Sequence, residues 1–189
     1  QKVLFATGIR DIMPEIEGFA ACWGISILHC PYCHGYEVRH KKIGILGNGD
    51  MGYEFVKLIS NWSQDLVLFT NGASTLNEEQ VLKLQGKGVE IVEGEIQRIE
   101  HEEGTIQNLV FRDGSTYFVP ALFARVAFTQ HSTLPEELGC ELTPHGYIKV
   151  DDLQRTTVPG IYAAGDTTNP MRSVAAAVAA GNKAGAAIN

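Results

Sequence analysis

The 189-residue chain is 44% hydrophobic and 20% charged, the usage of an ordinary globular protein, and is long enough for one generous domain or two small ones. Its net charge of -7, with no basic stripe, argues against nucleic acid or an anionic membrane as the main partner, because both reward clustered Lys and Arg. No apolar run approaches the ~20 residues of a membrane span, and four cysteines are too few for a disulfide scaffold, which favours a reducing, cytoplasmic setting.

The segment Gln1 to Phe5 lacks a starting Met and the marks of a signal peptide, and reads as an internal start. Val3 to Ala6 predicts a short buried strand ending in Thr7-Gly8, and Pro14 to Gly18 a loop. Ile43 to Leu46 predicts a compact strand, followed by a glycine-rich turn and a helix on which Phe55, Ile59 and Trp62 recur at helical spacing. Leu66 to Phe69 supplies the next strand and completes a βαβ unit. A second helix is expected from about Leu76 to Gln85, capped by Ser74 or Thr75 and stopped by Gly86 and Gly88. Val89 to Val92, Ile96 to Glu100, Gln107 to Phe111 and Thr116 to Val119 read as strands of an antiparallel meander, with Asp113-Gly114 as a hairpin turn. Further strands are expected around Val126 to Phe128 and at Ile161 to Ala164. A small-residue helix closes the chain from Met171 to Ile188, its Ala and Gly content suiting close packing.

Gly47-Asn48-Gly49-Asp50-Met51-Gly52 matches G-x-G-x-x-G and lies where that string has meaning, after a strand and at the start of a helix. Gly47 would make the tight turn, Gly49 would let the backbone approach a pyrophosphate, and Gly52 would allow the helix and strand to pack closely. The helix N-terminus offers N–H donors and a positive dipole end to phosphate oxygens. At the end of the second strand, where an acid would hold a ribose hydroxyl or an Arg a 2′-phosphate, the chain reads Thr70-Asn71-Gly72, which specifies neither NAD nor NADP.

Cys30-Pro31-Tyr32-Cys33 stands just before this unit, and a C-x-x-C pair beside βαβ reads as a dithiol/disulfide centre. His29 and His34 flank it, and His34 is a candidate proton carrier. The string Cys30-x-x-Cys33-His34 is also that of c-type haem attachment, which needs an exported chain without a dinucleotide fold beside it. His29, Cys30, Cys33 and His34 are too tightly spaced for one tetrahedral zinc site. Cys22 and Cys140 read as buried structural thiols, and His131 as a loop residue. A hydride donor carries two electrons while disulfide exchange proceeds through thiolates, so a flavin is the expected intermediary.

Ala6-Thr7-Gly8, the Cys30/Cys33 pair, Gly47 to Gly52, and Ile161-Tyr162-Ala163-Ala164-Gly165-Asp166 followed by Met171-Arg172-Ser173-Val174 resemble, in order and spacing, the low-molecular-weight thioredoxin reductases. The resemblance spans nearly the whole chain. It implies an α/β fold with a Rossmann-like three-layer NAD(P)-binding domain at residues 14–127, inserted into an FAD-binding domain of which residues 1–13 and 128–189 would be the remnant. It implies FAD and NAD(P)H as cofactors, with Gly165, Asp166, Arg172, Ser173 and Val174 along the flavin. Cys33 would face the flavin while Cys30 attacks the substrate disulfide, that of a thioredoxin-like protein, and the molecule would be a homodimer. The family's first phosphate loop has no counterpart in the sequence, His34 stands where thioredoxin reductases carry an acid, and the basic cluster expected at residues 70–72 is missing. Cys30 to Glu37 also resembles the segment in small-molecule dithiol oxidases of the same fold, the alternative on substrate. A nucleotide-binding redox sensor without turnover is the third reading.

Overall fold

The computed structural model describes residues 1–189. In chain order, β1 (Val3–Phe5) and β2 (Ile9–Ile12) open the chain. There follow α1 (Phe19–Cys22), β3 (Ile27–Leu28), α2 (Pro31–Val38), β4 (Ile43–Leu46), α3 (Gly49–Ile59), β5 (Leu66–Phe69), α4 (Glu78–Gln85) and β6 (Glu90–Val92). After β7 (Ile96–Glu102), β8 (Thr105–Phe111), β9 (Thr116–Tyr117) and β10 (Ala121–Ala124) come β11 (Ala127–Gln130), α5 (Leu134–Glu137), β12 (Ile161–Ala163) and α6 (Val174–Ile188). Two compact units result, one of residues 13–126 and one of residues 1–12 with 127–189. Their limits lie one residue before the expected cuts because β2 and β11 pair with each other, Ile12 opposite Ala127, and so belong to one unit.

Residues 13–126 form a parallel sheet in the order β3-β10-β4-β5-β6. β4 and β5 read Ile-Gly-Ile-Leu and Leu-Val-Leu-Phe, nearly continuous apolar runs, because a parallel sheet is covered on both faces. On one face α3 lays Phe55, Val56 and Ile59 against Ile43, Ile45, Leu68 and Phe123, with the Phe55 and Phe123 rings edge to face at 6.3 Å. On the other face Val67, Phe69 and Leu122 meet Ile99, Ile106, Leu109 and Phe111 of the β7-β8-β9 meander, together with Phe19 of α1. The α/β unit thus has three layers, of which one is an antiparallel meander.

Several elements differ from expectation. The strand expected around Val126 to Phe128 is β11, shifted to Ala127–Gln130 and lying in the other unit, while β10 at Ala121–Ala124, inside the parallel sheet, was not expected. The second helix starts at Glu78, not Leu76, because Asn77 and Gln80 close a capping box, each side chain bonded to the other's backbone N–H. The last helix starts at Val174, where the Ser173 hydroxyl accepts the Ala176 N–H at 3.2 Å.

In the other unit β1 pairs parallel with β12 and β2 antiparallel with β11. Phe5, Cys140, Ile148 and Ala163 form its small core, and Ala164 packs with Ala180 and Ala184 of α6. No helix of the chain is long and apolar enough to cross a membrane.

Candidate functional site

Pro31, with its φ preset and no N–H to satisfy, is the first residue of α2, and Cys30 takes the extended N-cap position before it. One helical turn then stacks Cys33 over Cys30. The backbone N–H groups of Cys33 and His34 both donate to the Cys30 carbonyl, at 3.2 and 3.1 Å. The Cys33 thiol donates to Cys30 Sγ across 3.0 Å, so the pair is a dithiol in contact. That hydrogen bond, then partial burial, then the nearby Cys30 charge, push the Cys33 thiol up to about 11. Cys33 is exposed and Cys30 half-buried, whereas Cys22 and Cys140 are buried, and burial pushes the Cys22 thiol up. His34 is exposed on the same helix. Tyr32 and Tyr36, 76% and 68% exposed, flank the pair one turn apart. Tyr32 sets its ring edge-on to Trp62 at 5.4 Å, and the Arg39 guanidinium lies 3.5 Å above the Tyr36 ring.

The glycine turn follows β4. A Cβ on Gly52 would lie 2.8 Å from the Gly47 carbonyl carbon, and Gly49 adopts φ +55, so strand and helix approach as only glycines permit. Gly47 N–H donates to Phe69 O of β5 at 3.0 Å. Asn48 caps α3 and does more. Its Oδ1 accepts from the Gly49 and Thr75 N–H groups, each at 2.8 Å, and its Nδ2 donates to Ala73 O at 2.8 Å. Asp50 accepts from Gln80 Nε2 at 2.7 Å, and Met51 is exposed. The turn is therefore strapped to the loop after β5.

Thr70 and Asn71 serve that loop itself. Thr70 is buried with its hydroxyl on Gly72 O at 2.7 Å, and Asn71 Oδ1 accepts the Ile96 N–H at 2.7 Å. Sequence reasoning missed Glu93, one residue beyond β6, whose Oε2 accepts the Ser74 N–H at 2.9 Å. No motif marks it, since it comes from the third strand of the unit.

Dithiol and cradle share an edge. Leu28 of β3 and Ile45 of β4 stand on either side of Phe123 of β10, and the chain reaches Cys30 and Gly47 two residues later. Two strand spacings put them about 10 Å apart at the carboxyl ends of the strands, where such sheets bind ligands.

In the other unit the loop after β12 gathers the remaining candidates. Gly165 turns at φ +84, Asp166 is half-buried, and Thr168 returns its N–H and hydroxyl to Gly165 O at 3.0 and 2.8 Å. Arg172 donates to Asp11 Oδ1 at 2.7 Å with its guanidinium 5.5 Å from the Phe128 ring centre, while Ser173 caps α6 and Val174 is exposed. These residues fit the dinucleotide-linked part of a flavin cofactor: a left-handed glycine, a half-buried acid and a helix N-terminus in one loop.

The profile of the pyridine nucleotide-disulphide oxidoreductase family matches residues 1–181. The chain is 30% identical over 203 residues to the thioredoxin reductase sirT of Leptosphaeria maculans, spanning 100% of this chain and 62% of that protein. It is 32% identical over 200 residues to the thioredoxin reductase tcpT of Claviceps purpurea, spanning 98% and 60%. The crystal structure of an oxidoreductase from Agrobacterium tumefaciens superposes with a TM-score of 0.88 at 34% identity, over 99% of this chain and 63% of that one. The chain spans less than two thirds of the length of these relatives. With the family match running from Gln1 through both units, the chain belongs to the pyridine nucleotide-disulphide oxidoreductases and is thioredoxin reductase-like.

Proposed function

We propose that the chain carries the dithiol and nicotinamide sites of a flavin-dependent disulfide oxidoreductase, moving two electrons from NAD(P)H by way of FAD to Cys30/Cys33 and on to the disulfide of a thioredoxin-like protein. The observation that carries this reading is the 3.0 Å thiol contact at the N-terminus of α2, on the same sheet edge as the Gly47 to Gly52 cradle. We place this activity in a cytoplasmic homodimer.

The hydrogen bond that holds the Cys33 proton is one the Cys30 sulfur accepts, which suits Cys30 as the thiolate at the helix N-terminus. Cys30 attacks one sulfur of the substrate disulfide, forming a mixed disulfide and expelling the other sulfur, which takes up a proton. Cys33, losing its own proton to His34 or water, then attacks Cys30, so the pair ends oxidised and the substrate leaves as a dithiol. Two electrons and two protons restore the pair. When bound, FAD supplies the two-electron relay between a hydride donor and dithiol chemistry. Gly165, Asp166, Arg172, Ser173 and Val174 would hold it, and residues 47–52 would seat the nicotinamide dinucleotide.

A second reading is favoured by the exposed Tyr32 and Tyr36 beside Cys33, an aromatic shelf suited to a small dithiol whose oxidation runs the same chemistry backwards. The deciding experiment is anaerobic titration of the FAD-bound protein. Flavin bleaching by NADH or NADPH, with colour returning on addition of a protein disulfide, supports the reductase. Bleaching by dithiols alone supports the oxidase. Bleaching by neither identifies a redox sensor and removes both enzymatic readings.

A further inference from the structure

We propose that the dinucleotide site takes NADH in preference to NADPH, and that Glu93 is the residue that decides. The inference rests on reading residues 47–52 as a dinucleotide cradle and goes on to name its ligand.

In a βαβ cradle the adenosine ribose lies over the end of the second strand, where an acid accepts from the ribose 2′-hydroxyl or an Arg pairs with a 2′-phosphate. Here the stretch after β5 is Thr70-Asn71-Gly72-Ala73-Ser74-Thr75, which holds no cation. Two of its side chains, those of Thr70 and Asn71, are already bonded to backbone groups.

What does reach this loop is a carboxylate from the neighbouring strand. β6 ends at Val92, and Glu93 then grips the loop twice: its carbonyl accepts the Gly72 N–H at 3.1 Å and its Oε2 accepts the Ser74 N–H at 2.9 Å. The Ser74 N–H, a backbone donor of this loop, is thus taken by a negative charge. The Arg112 guanidinium is held by Glu95 at 2.7 Å, and the Glu95 side chain approaches Gly72 within 3.9 Å of the position a Cβ would occupy.

The two nucleotides therefore meet opposite chemistry. A phosphate monoester carries roughly −1.5 to −2 charge at neutral pH and would face Glu93 and Glu95 as like charges. A free 2′-hydroxyl can donate to the Glu93 carboxylate, whose second oxygen has no need of the Ser74 bond.

The test is equilibrium binding, independent of turnover. Purified protein is titrated calorimetrically with NADH, NADPH, ADP-ribose and 2′-phospho-ADP-ribose, the last two probing the adenosine end alone. We expect the forms without the 2′-phosphate to bind at least about tenfold tighter, and Glu93→Gln, which keeps an oxygen for Ser74 but removes the charge, to shrink that ratio severalfold by tightening the phosphorylated forms. Glu93→Ala, checked by an unchanged circular dichroism melt, should shift the ratio the same way. Equal or tighter NADPH binding, or a ratio unmoved in Glu93→Gln, overturns the assignment of Glu93 while leaving the cradle reading standing. Failure of all four ligands to bind overturns the cradle reading and this inference together.

Discussion

Asn48 Oδ1 accepts the backbone N–H of Thr75 at 2.8 Å while also capping the first turn of α3, so the glycine turn and the loop after β5 move as one piece. Removing this side chain should therefore act in two places. Asn48→Ala should lower stability by about 1–2 kcal/mol through loss of the cap and should weaken dinucleotide binding by releasing the loop. Asn48→Asp, which keeps the acceptor but loses the bond to Ala73 O, should fall between. Urea unfolding followed by tryptophan fluorescence, with dinucleotide titration alongside, measures both effects; equal losses in the two variants would assign the effect to the amide's bond to Ala73.

The Cys33 proton is held by Cys30, which makes its reactivity depend on pH in a defined direction. In the reduced protein, alkylation at Cys33 should reach half its maximal rate near pH 11, and in Cys30→Ala the midpoint should fall toward the ordinary thiol value of 9.0. Because the folded value lies above the ordinary one, the stabilisation from the protonated thiol is complete below pH 9 and lost as pH rises through 11. Exposure of Cys33 keeps that contribution small, so alkylation followed by mass spectrometry is the readout.

Gly52→Ala should separate strand from helix. Its Cβ would sit 2.8 Å from Gly47 C and 3.0 Å from Gly47 O, both backbone atoms that cannot swing aside. A cost of about 1–3 kcal/mol is expected, as for other overpacked sites. A lowered thermal midpoint with loss of dinucleotide binding is the expected result, and a melt like that of the parent would show that the turn can open.

Arg172 and Asp11 are bonded at 2.7 Å, with side chains 16% and 23% exposed. Arg172→Gln leaves a half-buried carboxylate short of its charged donor and should cost about 1–3 kcal/mol. Asp11→Asn combined with Arg172→Gln should recover part of that loss, which a double-mutant cycle in urea would reveal. In the FAD-bound protein, Arg172→Gln should also lower the flavin content recovered on purification, read from the absorption spectrum.

How much of this was legible beforehand depended on the range of the interactions involved. The βαβ unit announced itself because Ile43 to Leu46 and Leu66 to Phe69 are unbroken apolar runs on either side of a glycine turn, and the G-x-G-x-x-G spacing reports a purely local close approach. β10 did not, since Ala121–Ala124 is four residues buried on both faces with no alternation, and only its pairing with β3 and β4 makes it a strand. α2 was equally silent: the eight-residue segment has a glycine and two exposed tyrosines, and is placed by Pro31 and by its packing. The expected caps Ser74 and Thr75 lost to Asn77, whose reciprocal bond with Gln80 satisfies two N–H groups at once.

Residue order alone therefore determined the family, the α/β class and the positions of the C-x-x-C and G-x-G-x-x-G motifs, because each is written in neighbours a few positions apart. Tertiary pairing decided which strands stand side by side, and with them that Cys30 and Gly47 share one edge and that Glu93 reaches the loop holding Ser74. Hydrogen bonds between strands distant in sequence leave no periodicity to read. The carboxylate proposed to discriminate between the nicotinamides is likewise held by a long-range bond, 19 residues along the chain from the amide that donates to it.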